Sequence, residues 1–123
     1  MRVETVMFAP DTEQYAGKGQ PTVDLTSIAT AARRTEEFGF DGLTAPEAGH
    51  DPFLPLVLAA EHTEKITLGT NVTKLPLRSP LLMAKTVGSA AAMFPGRIEI
   101  GVGRARDTIR VLTGVHERPL QRE

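Results

Sequence analysis

Four short strand-like segments are separated along this chain by three segments of helical character, and this alternation constrains the fold more than any other feature of the sequence. Successive strands lie about 25 to 40 residues apart, too far for hairpins and far enough for a helical crossover, so the strands must run parallel. Arg2 to Phe8 alternates Val3, Thr5 and Met7 with Arg2, Glu4 and Val6 and predicts the first strand. Ala9 to Pro21, with Pro10, Asp11, Gly17, Gly19 and Pro21, predicts a loop. From Leu25 the apolar positions Ile28, Ala29, Ala32 and Phe38 follow helical spacing opposite Arg33, Arg34, Glu36 and Glu37; Thr22 or Asp24 is the expected cap and Gly39 the stop. Phe40 to Thr44 predicts a second strand and Ala45 to Asp51 its outgoing loop. Asp51 and Pro52 open a second helix that is apolar almost all round, from Phe53 to Ala60, and is therefore expected to be mostly buried. Lys65 to Val72 predicts the third strand, and Thr73 to Arg78 leads out of it. Ser79 and Pro80 repeat the cap-plus-proline start of a third helix, which runs to about Met93; its small residues suit close packing on a sheet. Pro95-Gly96 marks a turn before a fourth strand, Arg97 to Gly103. One helical turn is expected near Thr108 to Leu112.

The order βαβαβαβ defines an α/β chain, and two architectures accommodate it: a small doubly wound sheet, or the N-terminal half of a (β/α)8 TIM barrel with every helix on one face. Periodicity does not separate them. A half-barrel leaves the edges of its first and fourth strands open and exposes an apolar sheet face, so a second copy or a complementing half-barrel chain is expected to cover them. The 123 residues, 41% hydrophobic and 24% charged, suffice for one core and form a single domain: four β/α units over 1–103 and a tail over 104–123.

Composition excludes several classes of function. With Lys+Arg 14 against Asp+Glu 15, the net charge of -1 offers no field to recruit nucleic acid or an anionic membrane. The absence of Cys removes disulfides, thiolate metal sites, iron–sulfur clusters and a Cys nucleophile. No apolar run reaches the length of a signal peptide or a membrane span, so the expected location is the cytoplasm.

In either architecture, function belongs at the C-terminal ends of the strands: Phe8 to Pro10, Thr44 to Asp51, Asn71 to Lys74, and Val102 to Arg104. The second of these places Glu47, His50 and Asp51 within five residues. Glu47 is a candidate general acid or base or an anchor for a polar ring edge, with a solvated loop carboxylate as the alternative. His50 is a candidate proton shuttle or phosphate ligand, or else a half-buried histidine bonded to backbone. Asp51, directly before Pro52, reads as a helix cap, which disfavours a metal at Glu47, His50 and Asp51; no metal is expected. Gly69 to Val72 reads as a strand end carrying small polar residues, with a bulge at Gly69 as the structural alternative. Gly101-Val102-Gly103 opens like a dinucleotide fingerprint, but the third glycine position is Arg106 and this strand is the last, so that reading fails. The paired glycines instead clear space for a flat ligand or make a tight turn, and Arg104 and Arg106 are candidates for an anionic ligand tail or are plain solvated charges.

Five segments together carry a family resemblance: Glu37 to Leu43 (EFGFDGL), Glu47 to Leu56 (EAGHDPFLPL), Ile66 to Val72 (ITLGTNV), Arg78-Ser79-Pro80, and Gly96 to Gly103 (GRIEIGVG). They resemble the bacterial-luciferase-like superfamily and, within it, are most similar to its deazaflavin (coenzyme F420)-dependent oxidoreductases. The resemblance runs in order from residue 1 to about 103. It implies a TIM barrel and hydride transfer between a substrate carbon and C5 of a deazaflavin lying across the barrel mouth, the protein supplying position and electrostatics. It also implies an acidic residue near the ring at Glu47, a bulge with a non-prolyl cis peptide backing the ring at Asn71-Val72, and a ring edge lined by Gly101, Gly103 and Arg104. Members of the superfamily continue for four more β/α units that usually hold the cofactor's phosphate tail. The implied reading is therefore an F420-dependent oxidoreductase acting on a small molecule. Two alternatives stand beside it: a luciferase-like monooxygenase using flavin mononucleotide (FMN), and a cofactor-free half-barrel serving as a dimer or partner module.

Overall fold

The computed structural model describes residues 1–7, 24–47 and 50–104. In order, these form β1 (Glu4–Val6), α1 (Ile28–Glu37), β2 (Gly42–Ala45), α2 (Phe53–Glu61), β3 (Thr67–Lys74), a 3-10 turn (Leu75–Leu77), α3 (Pro80–Met93) and β4 (Ile98–Gly103). Phe8, the loop to Pro21 with Thr22, and the helical turn expected near Thr108 to Leu112 lie outside the described residues.

The strands pair in the order β1-β2-β3-β4, every neighbour parallel. Each crossover advances by one strand in the same direction. This is the singly wound order of a barrel, and it excludes the doubly wound alternative, in which the order reverses.

Local chemistry explains where the elements start and stop. Asp24 accepts hydrogen bonds from the Thr26 N–H and hydroxyl and so shapes the turn before α1 rather than capping it; the helix begins at Ile28, three residues later than the apolar pattern suggests. Gly39, at φ +81, ends the turn after α1, a backbone conformation that glycine adopts without a Cβ clash. At α2 the Asp51 carboxylate accepts the Leu54 N–H at 2.7 Å, the expected cap. Ser79 Oγ does the same for the Leu82 N–H at 3.1 Å, ahead of Pro80 at the start of α3. Both β2 and β3 begin two residues later than their apolar runs. The Phe40 N–H is held by the Thr35 carbonyl at the end of α1, and the Glu64, Lys65 and Ile66 N–H groups all converge on the Glu36 carboxylate.

One face of the sheet, with Leu43, Ala45 and Leu68, packs against Ile28 and Ala32 of α1 and Leu56, Ala59 and Ala60 of α2, closed by Met7 and Ile66. At its base, the Arg97 guanidinium donates to the Ala60, Thr63 and Ile66 carbonyls and to the Thr63 hydroxyl, joining the end of α2 to the entries of β3 and β4. The opposite face is not the apolar surface that the strand pattern suggested. Register places Glu4, Gly42 and Thr67 side by side, then Thr44, Gly69 and Glu99, with Arg2 bridging Glu4, Thr67 and Glu99. The future barrel lumen is thus polar at its base.

The helices are less enclosed than their composition predicted. Leu54 and Leu58 of α2 are 74% and 41% exposed, and within α3 only Ala90 is buried. The cause is geometric: α1 and α2 shield each other, whereas α3 has no neighbouring helix on its far flank among the described residues. No helix among the described residues is long and apolar enough to cross a membrane.

Candidate functional site

The C-terminal ends of β2, β3 and β4 converge on one irregular feature. The Asn71-Val72 peptide is cis, and the pairing of β3 with β4 passes from Thr70↔Ile100 to Thr73↔Val102, so β3 carries one extra residue there. The bulge therefore lies at Asn71-Val72, where the family resemblance implied it, and not at Gly69. Gly69 serves a different purpose, since a Cβ there would lie 3.3 Å from the Glu99 carbonyl of the adjacent strand.

The bulge explains the glycines of β4. A Cβ on Gly103 would stand 2.6 Å from Val72 Cγ2, and one on Gly101 would collide with the Thr70 carbonyl oxygen. Gly101 and Gly103 thus make room for the chain's own β3, and Val72, 37% exposed, forms a small aliphatic shelf above them. The Thr70 hydroxyl donates to the Gly101 carbonyl at 2.7 Å and ties the two strands below the shelf. Asn71 and Arg104 flank it as exposed residues at the rim.

Glu47 enters from the loop after β2 and anchors the far side of the bulge. Its Oε2 accepts the Thr73 hydroxyl at 2.9 Å and the Lys74 N–H at 2.5 Å, and its Oε1 pairs with Arg78 Nη1 at 2.5 Å. Arg78 also donates to the Thr73 hydroxyl at 3.0 Å and, through Nη2, to Asp51 Oδ1 at 2.9 Å. Its guanidinium carbon lies 5.2 Å from the centroid of the Phe53 ring. The Glu47 and Arg78 side chains are only 9% and 12% exposed. With both oxygens engaged, Glu47 holds the end of β3 in place rather than presenting a free carboxylate for proton transfer. Asp51 combines two tasks, one oxygen capping α2 and the other fixing Arg78.

His50 does not join this cluster. Its Nδ1 donates to the Asp51 carbonyl at 2.7 Å, and the ring faces a cavity between α1 and α2 rather than Glu47. No group of three or more His, Asp or Glu side chains suited to a metal occurs among the described residues. Arg106 lies outside them.

Sequence reasoning brought forward Glu47, Asn71, Val72, Gly101, Gly103 and Arg104 but passed over Arg78 and Thr73. The signal was present: Arg78 ends the polar segment leaving β3, and adjacent strand-end loops carrying opposite charges, here Glu47 with Asp51 against Arg78, are placed to pair.

A half-barrel with a bulged cis peptide at the strand ends, backed by glycines on the next strand, defines the class of α/β chain to which this one belongs. The chain belongs to the luciferase-like monooxygenase family, whose model matches residues 3–122. It is 44% identical over 79 residues to the uncharacterized protein Rv1360 of Mycobacterium tuberculosis, covering 64% of this chain and 23% of that protein. It is 32% identical over 118 residues to the F420-dependent glucose-6-phosphate dehydrogenase of Mycobacterium avium, covering 87% of this chain and 33% of the relative. The chain thus spans a third or less of the length of these relatives. Among solved structures, the coenzyme F420-dependent tetrahydromethanopterin reductase of Methanopyrus kandleri superposes with a TM-score of 0.71 at 23% identity over 94% of this chain and 30% of its own. The FMN-bound oxygenating constituent of 3,6-diketocamphane monooxygenase from Pseudomonas putida superposes with a TM-score of 0.72 at 19% identity over 94% and 33%. At those identities the likeness is one of fold.

Proposed function

We propose that this chain forms the ring-binding part of an F420-dependent oxidoreductase that acts on a small molecule. The observation that carries the reading is the Val72 shelf, raised by the bulge at Asn71-Val72 over the bare backbone of Gly101 and Gly103. The residues present fit a flat heteroaromatic ring: an aliphatic surface at the centre, polar Asn71 and cationic Arg104 at the rim, and no side chain on β4 at Gly101 or Gly103 to obstruct it. When bound, a deazaflavin supplies the hydride chemistry at its C5. Val72 supports the ring face, Asn71 and Arg104 meet its polar edge, and the Glu47–Arg78 pair keeps the shelf at a fixed height by holding Thr73 and Lys74. His50 has no part in this arrangement. Deazaflavin is favoured over FMN because relatives 36% and 32% identical to this chain are F420-dependent glucose-6-phosphate dehydrogenases.

β1 and β4 each pair on one side only among the described residues. We assign their open edges to further β/α units of the same barrel, in the same polypeptide, in a second copy or in a complementing chain. The test is a fluorescence titration of the purified protein with F420, with FMN in parallel and the solution mass measured on the same sample. Saturable binding of F420 alone supports the reading. Saturable FMN alone turns it to a monooxygenase, and binding of neither leaves a cofactor-free assembly module.

A further inference from the structure

Lys74 carries a charge that nothing among the described residues answers. The residue is only 8% exposed. Its backbone N–H is held by Glu47, but its ammonium forms no hydrogen bond or ion pair among the described residues. The two carboxylates of the loop after β2 are committed elsewhere, Glu47 to Arg78, the Thr73 hydroxyl and the Lys74 N–H, and Asp51 to Arg78 and the Leu54 N–H. Nor is the ammonium sealed off: among the described residues, the side-chain polar atom that is both closed to solvent and unpartnered is His50 Nε2. The stem of Lys74 is thus covered while its head reaches accessible space.

Register fixes the side of β3 from which this side chain leaves. Thr73 pairs with Val102 and Lys74 with Gly103. Successive residues of a strand alternate between its faces, and residues paired in a ladder share one. Thr73 turns its hydroxyl toward Glu47 and Arg78, so Lys74 leaves on the opposite face, the face of Gly103. A Cβ on Gly103 would stand 2.6 Å from Val72 Cγ2, which puts the Val72 shelf on that same face. Lys74 therefore rises beside the shelf, two residues nearer the strand end.

An ammonium largely withdrawn from water and left without a counter-charge is costly, and an anionic oxygen that meets it recovers a charge-assisted hydrogen bond. Because the ammonium only donates, a cation or a neutral donor gains nothing there. From these features we infer that Lys74 is an anion-binding residue of the shelf: it takes a negatively charged carboxylate or phosphate oxygen of a ligand, beside a flat body lying on Val72. The F420 reading enters only in naming that flat body, so the anionic group belongs either to the cofactor or to the substrate next to it.

The experiment follows the Cε–Hε signals of Lys18, Lys65, Lys74 and Lys85, the four lysines of the chain, in the full protein labelled with carbon-13. Inorganic phosphate, acetate and F420 are added separately, then phosphate or acetate on top of F420, with sodium chloride at matched ionic strength as the control. The Lys74 signal is expected to move saturably with at least one of the three while those of Lys65 and Lys85 stay still. Movement with F420 alone assigns the anion to the cofactor; movement with phosphate or acetate, retained when F420 is bound, assigns it to the substrate. Lys74→Met should weaken binding of the active titrant about 10-fold or more, and Lys74→Arg should keep most of it. Because the signal is read in the unaltered protein, the conclusion does not depend on either variant folding. If F420 binds but none of the three moves Lys74 beyond the chloride control, this inference falls and the F420 reading stands; if phosphate or acetate moves Lys74 and F420 does not bind, the reverse holds. Lysine signals that all move together, or an affinity unchanged in a folded Lys74→Met, would also overturn the proposal.

Discussion

Replacing Glu47 by alanine is expected to destabilise the protein by about 3 to 5 kcal/mol, a magnitude set by what the carboxylate leaves behind rather than by the bond it makes. Three donors lose their acceptor: Arg78 Nη1, the Thr73 hydroxyl and the Lys74 N–H. Thr73 is fully buried and Lys74 is 8% exposed, so water cannot replace the lost partner at either. Each unmet donor costs about 1 to 3 kcal/mol. Arg78 retains Asp51 and the Phe53 ring, which keeps the total near the cost of breaking one buried pair instead of the sum of three. Arg78→Met should be costly for the mirror reason, leaving a carboxylate buried without its cation. The double variant, having removed both charges, should be less destabilised than the two singles added together, with a coupling of at least about 1.5 kcal/mol. Equilibrium urea unfolding of wild type, both singles and the double measures all four corners of the cycle. A Glu47→Ala cost below about 1 kcal/mol, or strict additivity, would refute the view that this pair clamps the end of β3.

The glycines of β4 make a graded prediction. Gly103→Ala sets a methyl 2.6 Å from Val72 Cγ2 and should cost about 1 to 3 kcal/mol, largely recovered in Val72→Ala/Gly103→Ala; Gly101→Ala meets the Thr70 carbonyl, which no side-chain change relieves, and should cost more, both read by thermal unfolding. Glu36 gives a pH signature. Burial raises its carboxyl pKa, but the Lys65, Ile66 and Glu64 N–H groups and the Arg97 charge outweigh that and hold it below its ordinary value of 4.5. The unfolded chain therefore takes up this proton first as pH falls, so the stabilisation is full above the ordinary value and is lost as pH drops through the lower folded value. Glu36→Gln should be less stable at neutral pH and show a shallower decline in urea midpoint below about pH 5; an unchanged slope would remove Glu36 from the account. Arg97→Met should loosen the base of the sheet, with faster amide exchange at Thr63 and Ile66 than at Leu43, because the guanidinium serves the carbonyls of Ala60, Thr63 and Ile66.

Much of the architecture could be read directly from local pattern. Asp51-Pro52 and Ser79-Pro80 are helix starts because an acceptor and a ring-locked φ are properties of the residues themselves, and both side chains cap as their chemistry requires. The strand entries could not be read that way. Ile66 is apolar and β-branched, yet Glu36, thirty residues earlier, captures its N–H before the sheet does. The helical face of α3 was equally ambiguous, since burial depends on a neighbour that periodicity in α3 does not specify.

The candidate site divides along the same line. Gly101 and Gly103 stood out in the sequence as places where a side chain would be in the way. Only the bulged register of β3 shows that what they clear is Val72 and the Thr70 carbonyl. Glu47 was visible as a carboxylate at a strand end, but its task depends on Arg78, 31 residues away along the chain and joined to it only when β2 and β3 lie side by side. His50 was grouped with Glu47 by proximity in sequence and parted from it by the turn into α2, which points the imidazole between the helices. The sequence by itself determined the alternation of strands and helices, their caps and the small residues at the strand ends, because those follow from interactions within a few residues. The tertiary structure alone decided the polar lumen, the Glu47–Arg78 clamp and the separation of His50 from Glu47, because each depends on which distant backbone or charge arrives first.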